Sequence, residues 1–183
     1  MGLDIITGDT PVDTQKSYNF RQVDYDAMVN EYRERLDSRP DSGGKLTTDQ
    51  QQALDDYTRG GYGPMQRALR DAEGDLDQVS DRERGRIDNV INAIDAAGPT
   101  SEPYIVFRGV GDVRRTFGEA EPEPGYRVRD TAFGSTSANA DVARDFARSP
   151  YAGDVPGIME IELPPGSPAL PVRAVYDPDF GTP

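Results

Sequence analysis

Tyr104-Ile105-Val106-Phe107-Arg108-Gly109-Val110 is an apolar run that ends in an arginine and a glycine. Its length and its β-branched and aromatic residues make it a strand. About thirty residues further on, Ala132-Phe133-Gly134-Ser135-Thr136-Ser137 reads as a second strand that runs into hydroxyls. An apolar strand rarely continues into arginine unless the guanidinium meets an anion or a carboxylate, because an unpaired charge is costly to bury. An Arg-Gly on one strand and a Ser-Thr-Ser on another can line a cleft for a phosphate-bearing dinucleotide.

Outward from these two strands, further strand-like runs fall around 126–128, at 157–163 and at 169–175. One short helix, roughly 141–148, interrupts them; Asn139 caps it, and Val142, Ala143 and Phe146 supply its packing face. Upstream the period changes to that of helices. Val23, Ala27, Met28, Tyr32 and Leu36 recur at helical spacing. A second helix starts near Leu46, with Thr47 or Thr48 as cap and a Gln three residues after each to close a capping box. Gly60-Gly61 ends it, and Pro64 opens the next. Ser80 and Glu83 form the box of a fourth helix, where Ile87, Val90, Ile91 and Ile94 make one stripe before Gly98-Pro99 stops it. Helices first and strands second predict an α+β domain with segregated helices. Residues 1–20 lack periodicity and read as an extended or disordered arm. The chain therefore divides into an N-terminal arm and helix over 1–43 and a domain over 44–183.

Composition narrows the chemistry. The chain has no cysteine and no histidine, so disulfides, thiolate nucleophiles, His-based triads and ordinary zinc sites are excluded. Catalysis has to come from carboxylates, hydroxyls, arginines and backbone groups. A net charge of -13 argues against nucleic acid as a partner. No apolar run approaches a membrane span, and no secretory signal is visible at the N-terminus. Lys16 and Lys45 are the only lysines, and Asp outnumbers Glu roughly two to one. Such a surface fits either a protein of a high-salt environment or a GC-rich genome.

The two strands and their order resemble the Arg and Ser-Thr-Ser elements of the Arg/Ser-Thr-Ser/Glu mono-ADP-ribosyltransferases. Tyr57-Thr58-Arg59-Gly60-Gly61-Tyr62, followed by Met65-Gln66-Arg67-Ala68-Leu69-Arg70, is similar to the turn and helix that precede them in that family. Core packing is the other account of Tyr57 and Tyr62. The resemblance implies a mainly antiparallel two-sheet β core behind N-terminal helices, with NAD as substrate and a protein side chain as acceptor. It makes Arg108 the holder of the phosphates and nicotinamide ribose. It has Gly109 bring the backbone close to the nicotinamide amide. It places Ser135, Thr136 and Ser137 along the same cleft, Ser135 orienting the catalytic carboxylate. Tyr151 lies where the family has a loop over the ligand. Without a ligand in view, Arg108 also reads as a strand-end arginine in a salt bridge, and the serines as a cap for the next helix.

The catalytic glutamate of the family's late Glu-x-Glu turn has two candidate locations. Glu160-Ile161-Glu162 matches in letters, but it sits in an alternating strand whose glutamates should face solvent. At the family's spacing stands Tyr176-Asp177-Pro178-Asp179-Phe180, which makes Asp179 the catalytic candidate unless the glutamates follow residue 183. An expectation of a different kind is a degenerate, head-associated component of a tailed virus, docking on virion proteins through the N-terminal arm.

Overall fold

The computed structural model describes residues 4–6, 21–22, 24–38, 46–114, 129–148 and 155–172. In chain order these form β1 (Asp4–Ile6), β2 (Arg21–Gln22), α1 (Tyr25–Asp37), α2 (Thr48–Asp56), α3 (Tyr62–Asp71) and α4 (Asp81–Ala97). They continue with β3 (Tyr104–Val110), β4 (Gly134–Thr136), α5 (Ala140–Ala147), β5 (Gly157–Leu163) and β6 (Ala169–Pro171). The class is α+β, as the change of period indicates.

The helices start where their caps dictate. Thr47 and Gln50 close the capping box of α2 in both directions, at 3.2 Å and 2.8 Å. Asp24 caps α1 through the Ala27 N–H, and Asn139 caps α5 through the Asp141 N–H. Ser80 holds the cap position of α4, but its side chain makes no cap bond, and Glu83 turns to Arg86 instead. The Ser80–Glu83 box is thus corrected: a charge-assisted pair one turn along outcompetes it. Gly60-Gly61 does not make a clean break between α2 and α3. A wide turn over Tyr57–Gly61, with Gly60 at φ 131°, carries the chain directly into α3 two residues before Pro64.

The apolar stripes meet in one core. Met28, Tyr32, Leu54, Tyr57, Met65, Ile87, Val90, Ile94, Val106 and Leu170 all lie within it, almost without exposure. Each such side chain stabilises the fold by about 1.5–3 kcal/mol on burial. α1 contributes to the same core as residues beyond 44, so the core has no seam at the 43/44 division.

Two three-stranded sheets stand over the helices, ordered β4-β1-β6 and β2-β3-β5. Asp4–Ile6 is the middle strand of the first, antiparallel to both neighbours. Of the two readings of residues 1–20, an extended or a disordered arm, Asp4–Ile6 takes the extended one, and as part of a sheet rather than a free arm. Three residues are too few to show a period, and what orders them is the open backbone edges of β4 and β6, which are distant in sequence. In the second sheet β3 runs antiparallel to β5 from Tyr104↔Leu163 to Val110↔Gly157. Phe107 and Ser137 stitch the sheets together with two backbone hydrogen bonds of 2.7 Å.

α5 packs across β3 and β5. A Cβ on Gly109 would overlap the Ala143 carbonyl oxygen and come within 2.8 Å of the Ala147 nitrogen. The glycine lets a helix backbone lie against a strand. Ala143 and Ala147 are therefore the buried residues of α5, whereas Phe146, expected inside, is 46% exposed. At so close an approach only small side chains fit between the backbones. The strand expected around 126–128 lies outside the described residues.

Candidate functional site

Strand alternation decides which way Arg108 faces. Tyr104, Val106 and Val110 share its parity on β3 and are buried, so Arg108 points with them, toward the core side of the sheet. Only 18% of its side chain is exposed. A guanidinium this deep needs a partner, and Asp130 stands 3.4 Å from it. Asp130 is itself gripped by Arg70, at the end of α3, through two parallel bonds of 3.0 Å and 2.9 Å. The Ala132 N–H adds a further bond to the same carboxylate. Burial on its own would raise the pKa of Asp130. The Arg70 bonds and charge, the Ala132 N–H and the Arg108 charge outweigh it and hold the carboxyl below its ordinary 3.8.

Beside this charged cluster lies a neutral one. Ser135, on β4, has its Oγ 2.7 Å from the phenol oxygen of Tyr57. Tyr57 is fully buried, delivered there by the wide turn after α2. Gln66, on α3, donates from Nε2 to that phenol at 2.8 Å and to the Phe133 carbonyl at 2.9 Å. Phe133 packs edge-on against the Tyr57 ring at 5.7 Å, and Tyr62 meets the same ring at 6.3 Å while staying 46% exposed. Burial pushes the phenol of Tyr57 above its ordinary 10.0, opposed by its two hydrogen bonds and by the charges of Arg108 and Arg70. Both clusters are anchored on α3, one through Gln66 and the other through Arg70.

The other residues singled out from the sequence separate. Ser137 is buried and structural: its Oγ accepts the Asn139 N–H ahead of α5, and its backbone forms the bridge to Phe107. Thr136 has the parity opposite to Ser135; it is 2% exposed, and among the described residues its Oγ1 has no partner. The missing side chain of Gly109 makes room for α5, a packing role that the sequence did not show. Tyr151, Asp177 and Asp179 lie outside the described residues. Glu160 and Glu162 are exposed, pairing across the ladder with Phe107 and Ile105, whose parity is opposite to that of Arg108. The alternating strand keeps both glutamates off the Arg108 side of the sheet.

Two residues that shape the site went unnoticed as such in the sequence, Asp130 and Gln66. Gln66 stands inside a quoted segment, but nothing local marks it as the partner of a tyrosine nine residues back. Asp130 meets Arg70 across sixty positions.

A family model described as ADP-ribosyltransferase exoenzyme matches residues 26–177. The chain belongs to that family. No curated protein matches it. The matched span takes in both clusters, so they are parts of an ADP-ribosyltransferase domain of toxin type. The α+β architecture is likewise that of an ADP-ribosyltransferase-like fold. Use of NAD as substrate is a general property of the family. Among the described residues no group of carboxylates could hold a metal ion, and no helix is long and apolar enough to cross a membrane.

Proposed function

We propose that the cleft beside Arg108 and Ser135 binds NAD and that the domain transfers its ADP-ribose to a protein side chain. In that step the bond between ribose C1′ and the nicotinamide nitrogen breaks, and nicotinamide leaves with the electron pair. The acceptor atom bonds to C1′ and loses a proton. Arg108 meets the phosphates and the nicotinamide ribose; its fork suits paired oxygens better than an ammonium would. Two guanidiniums and one carboxylate leave this cluster one net positive charge for the pyrophosphate. Ser135 orients the carboxylate that stabilises the oxocarbenium-like ribose, a role for which Asp179 is the candidate in this chain.

The observation that supports this most is the meeting of a half-buried arginine cluster with a hydrogen-bonded serine inside the family-matched span. Such preorganised groups stabilise developing charge without reorganising at the moment of reaction. Isothermal calorimetry with NAD, together with nicotinamide release followed by chromatography, tests it. Saturable binding with release of nicotinamide is the expected result. No binding heat at millimolar NAD and no nicotinamide would overturn it. Radiolabel from the adenylate half of NAD appearing on protein, and not only as free ADP-ribose, separates transfer from hydrolysis.

A further inference from the structure

The neutral cluster carries a direction as well as a set of contacts. The Phe133 carbonyl can only accept, so the Gln66 atom 2.9 Å from it is the amide nitrogen. That nitrogen has one more hydrogen, which goes to the Tyr57 oxygen at 2.8 Å. The phenol oxygen is therefore an acceptor toward Gln66. Its own single hydrogen needs a receiver, because Tyr57 is fully buried and an unsatisfied buried donor costs about 1–3 kcal/mol. Among the described residues the acceptor in range is the Ser135 Oγ at 2.7 Å. The chain then runs one way, from the Gln66 N–H to the Tyr57 oxygen and from the Tyr57 O–H to the Ser135 oxygen.

With its oxygen already accepting, Ser135 has its own hydrogen left to give. We propose that Tyr57 is a positioning residue that keeps the Ser135 O–H free to donate into the cleft. The group that the Ser135 O–H meets is then an acceptor, a carboxylate or a ribose oxygen. This rests on the NAD reading of the cleft, but the direction of the chain is measurable without it. Gln66 sets the direction from the far end, and Phe133 locks Gln66 by its backbone alone.

The test uses the full chain, with tyrosine carbon-13 labelled at the ring carbon that bears oxygen. In the wild type the Tyr57 hydroxyl proton exchanges slowly and gives a resolved correlation, identified by its loss in Tyr57→Phe. In Ser135→Ala that proton loses its acceptor, and the correlation broadens away. On activity, Tyr57→Phe lowers nicotinamide release about tenfold to a hundredfold and leaves the KM for NAD within about threefold, as expected when a group is misdirected rather than a binding contact removed. The double variant Tyr57→Phe/Ser135→Ala is no slower than Ser135→Ala alone, because Tyr57 acts through Ser135. A merely structural tyrosine would give additive losses, and that result overturns the proposal. So does a Tyr57 hydroxyl proton in fast exchange, or one indifferent to Ser135→Ala. If the wild type binds no NAD, the function proposed above fails, and the hydroxyl proton still reports the direction by itself. Should Tyr57→Phe not fold, the correlation is assigned by through-space contacts of the Tyr57 ring with Phe133, and the wild type and Ser135→Ala spectra suffice.

Discussion

Arg108 and Ser135 both draw their support from α3, yet they are supported by different kinds of force. Arg108 is held by charge, through Asp130 and then Arg70, in a cluster that water partly reaches. Ser135, itself partly exposed, is held by neutral hydrogen bonds through the buried Tyr57 and then Gln66. A half-wet ion pair is weak enough to let a guanidinium turn to an incoming anion, since solvent screens the attraction it gives up. A chain of neutral hydrogen bonds through a buried phenol and amide is costly to interrupt and so fixes a direction. The two supports thus suit two tasks, holding a phosphate and aiming a hydroxyl.

The sharpest way to break this contrast is to remove the charge. Arg108→Ala should lower NAD affinity about a hundredfold or more, because hydrogen bonds to charged groups contribute about 1.5–3 kcal/mol each and Arg108 offers a fork of them. Arg108→Lys keeps the charge but not the fork and should cost about tenfold. Calorimetric titration with NAD measures both. A lysine variant that binds like the wild type would mean that charge alone is used, and the contrast between holding and aiming would lose its geometric half.

Next in size is a change beneath both clusters. Gly109→Ala places a methyl group into the α5 backbone and should destabilise the fold by about 1–3 kcal/mol, read from the denaturant midpoint at unchanged slope. A milder loss would show that α5 can lift from β3 without penalty.

The two clusters should also respond at opposite ends of the pH scale. Asp130 has a folded pKa below 3.8, so its contribution is present above 3.8 and is lost as pH falls through the folded value. Asp130→Asn should therefore be less stable than the wild type near neutrality, with the gap closing in acid below 3.8. Tyr57 has a folded pKa above 10.0, so its contribution is full below 10.0 and is lost as pH rises through the folded value. Tyr57→Phe should remove that alkaline loss and leave the acid limb as it is. Unfolding curves across pH check both, and a matching response of the two variants would erase the distinction between the clusters.

The smallest effect belongs to the glutamates on the outer face of β5. Glu160→Gln and Glu162→Gln should change NAD affinity and nicotinamide release less than about twofold, since exposed substitutions away from a site are nearly neutral. A large loss of nicotinamide release in either would show that this strand does contribute the carboxylate.

Much of this molecule is written locally. Alternation over Gly157–Leu163 sends Glu160 and Glu162 outward, and the same rule sends Arg108 inward from Tyr104–Val110. The Thr47–Gln50 box and the Ile87, Val90 and Ile94 stripe mark their helices because caps and periods involve residues within two turns of each other. The Arg and Ser-Thr-Ser elements were legible for the same reason, since each lies within one strand. What the sequence determined by itself is the class of the longer elements, the faces of the regular strands and helices, and the family order. Tertiary structure alone decided which groups lie across from those faces. Asp130 sits between Arg70 and Arg108, Ser135 meets Tyr57 across 78 positions, and Asp4–Ile6 enters a sheet between strands from the other end of the chain. Gly109, too, shows its packing role only once α5 lies against it. A local period states that a side chain is inside. The partner it meets there depends on contacts formed after collapse between segments that carry no mark of one another, because hydrogen bonds and ion pairs are satisfied by proximity in space and not in sequence.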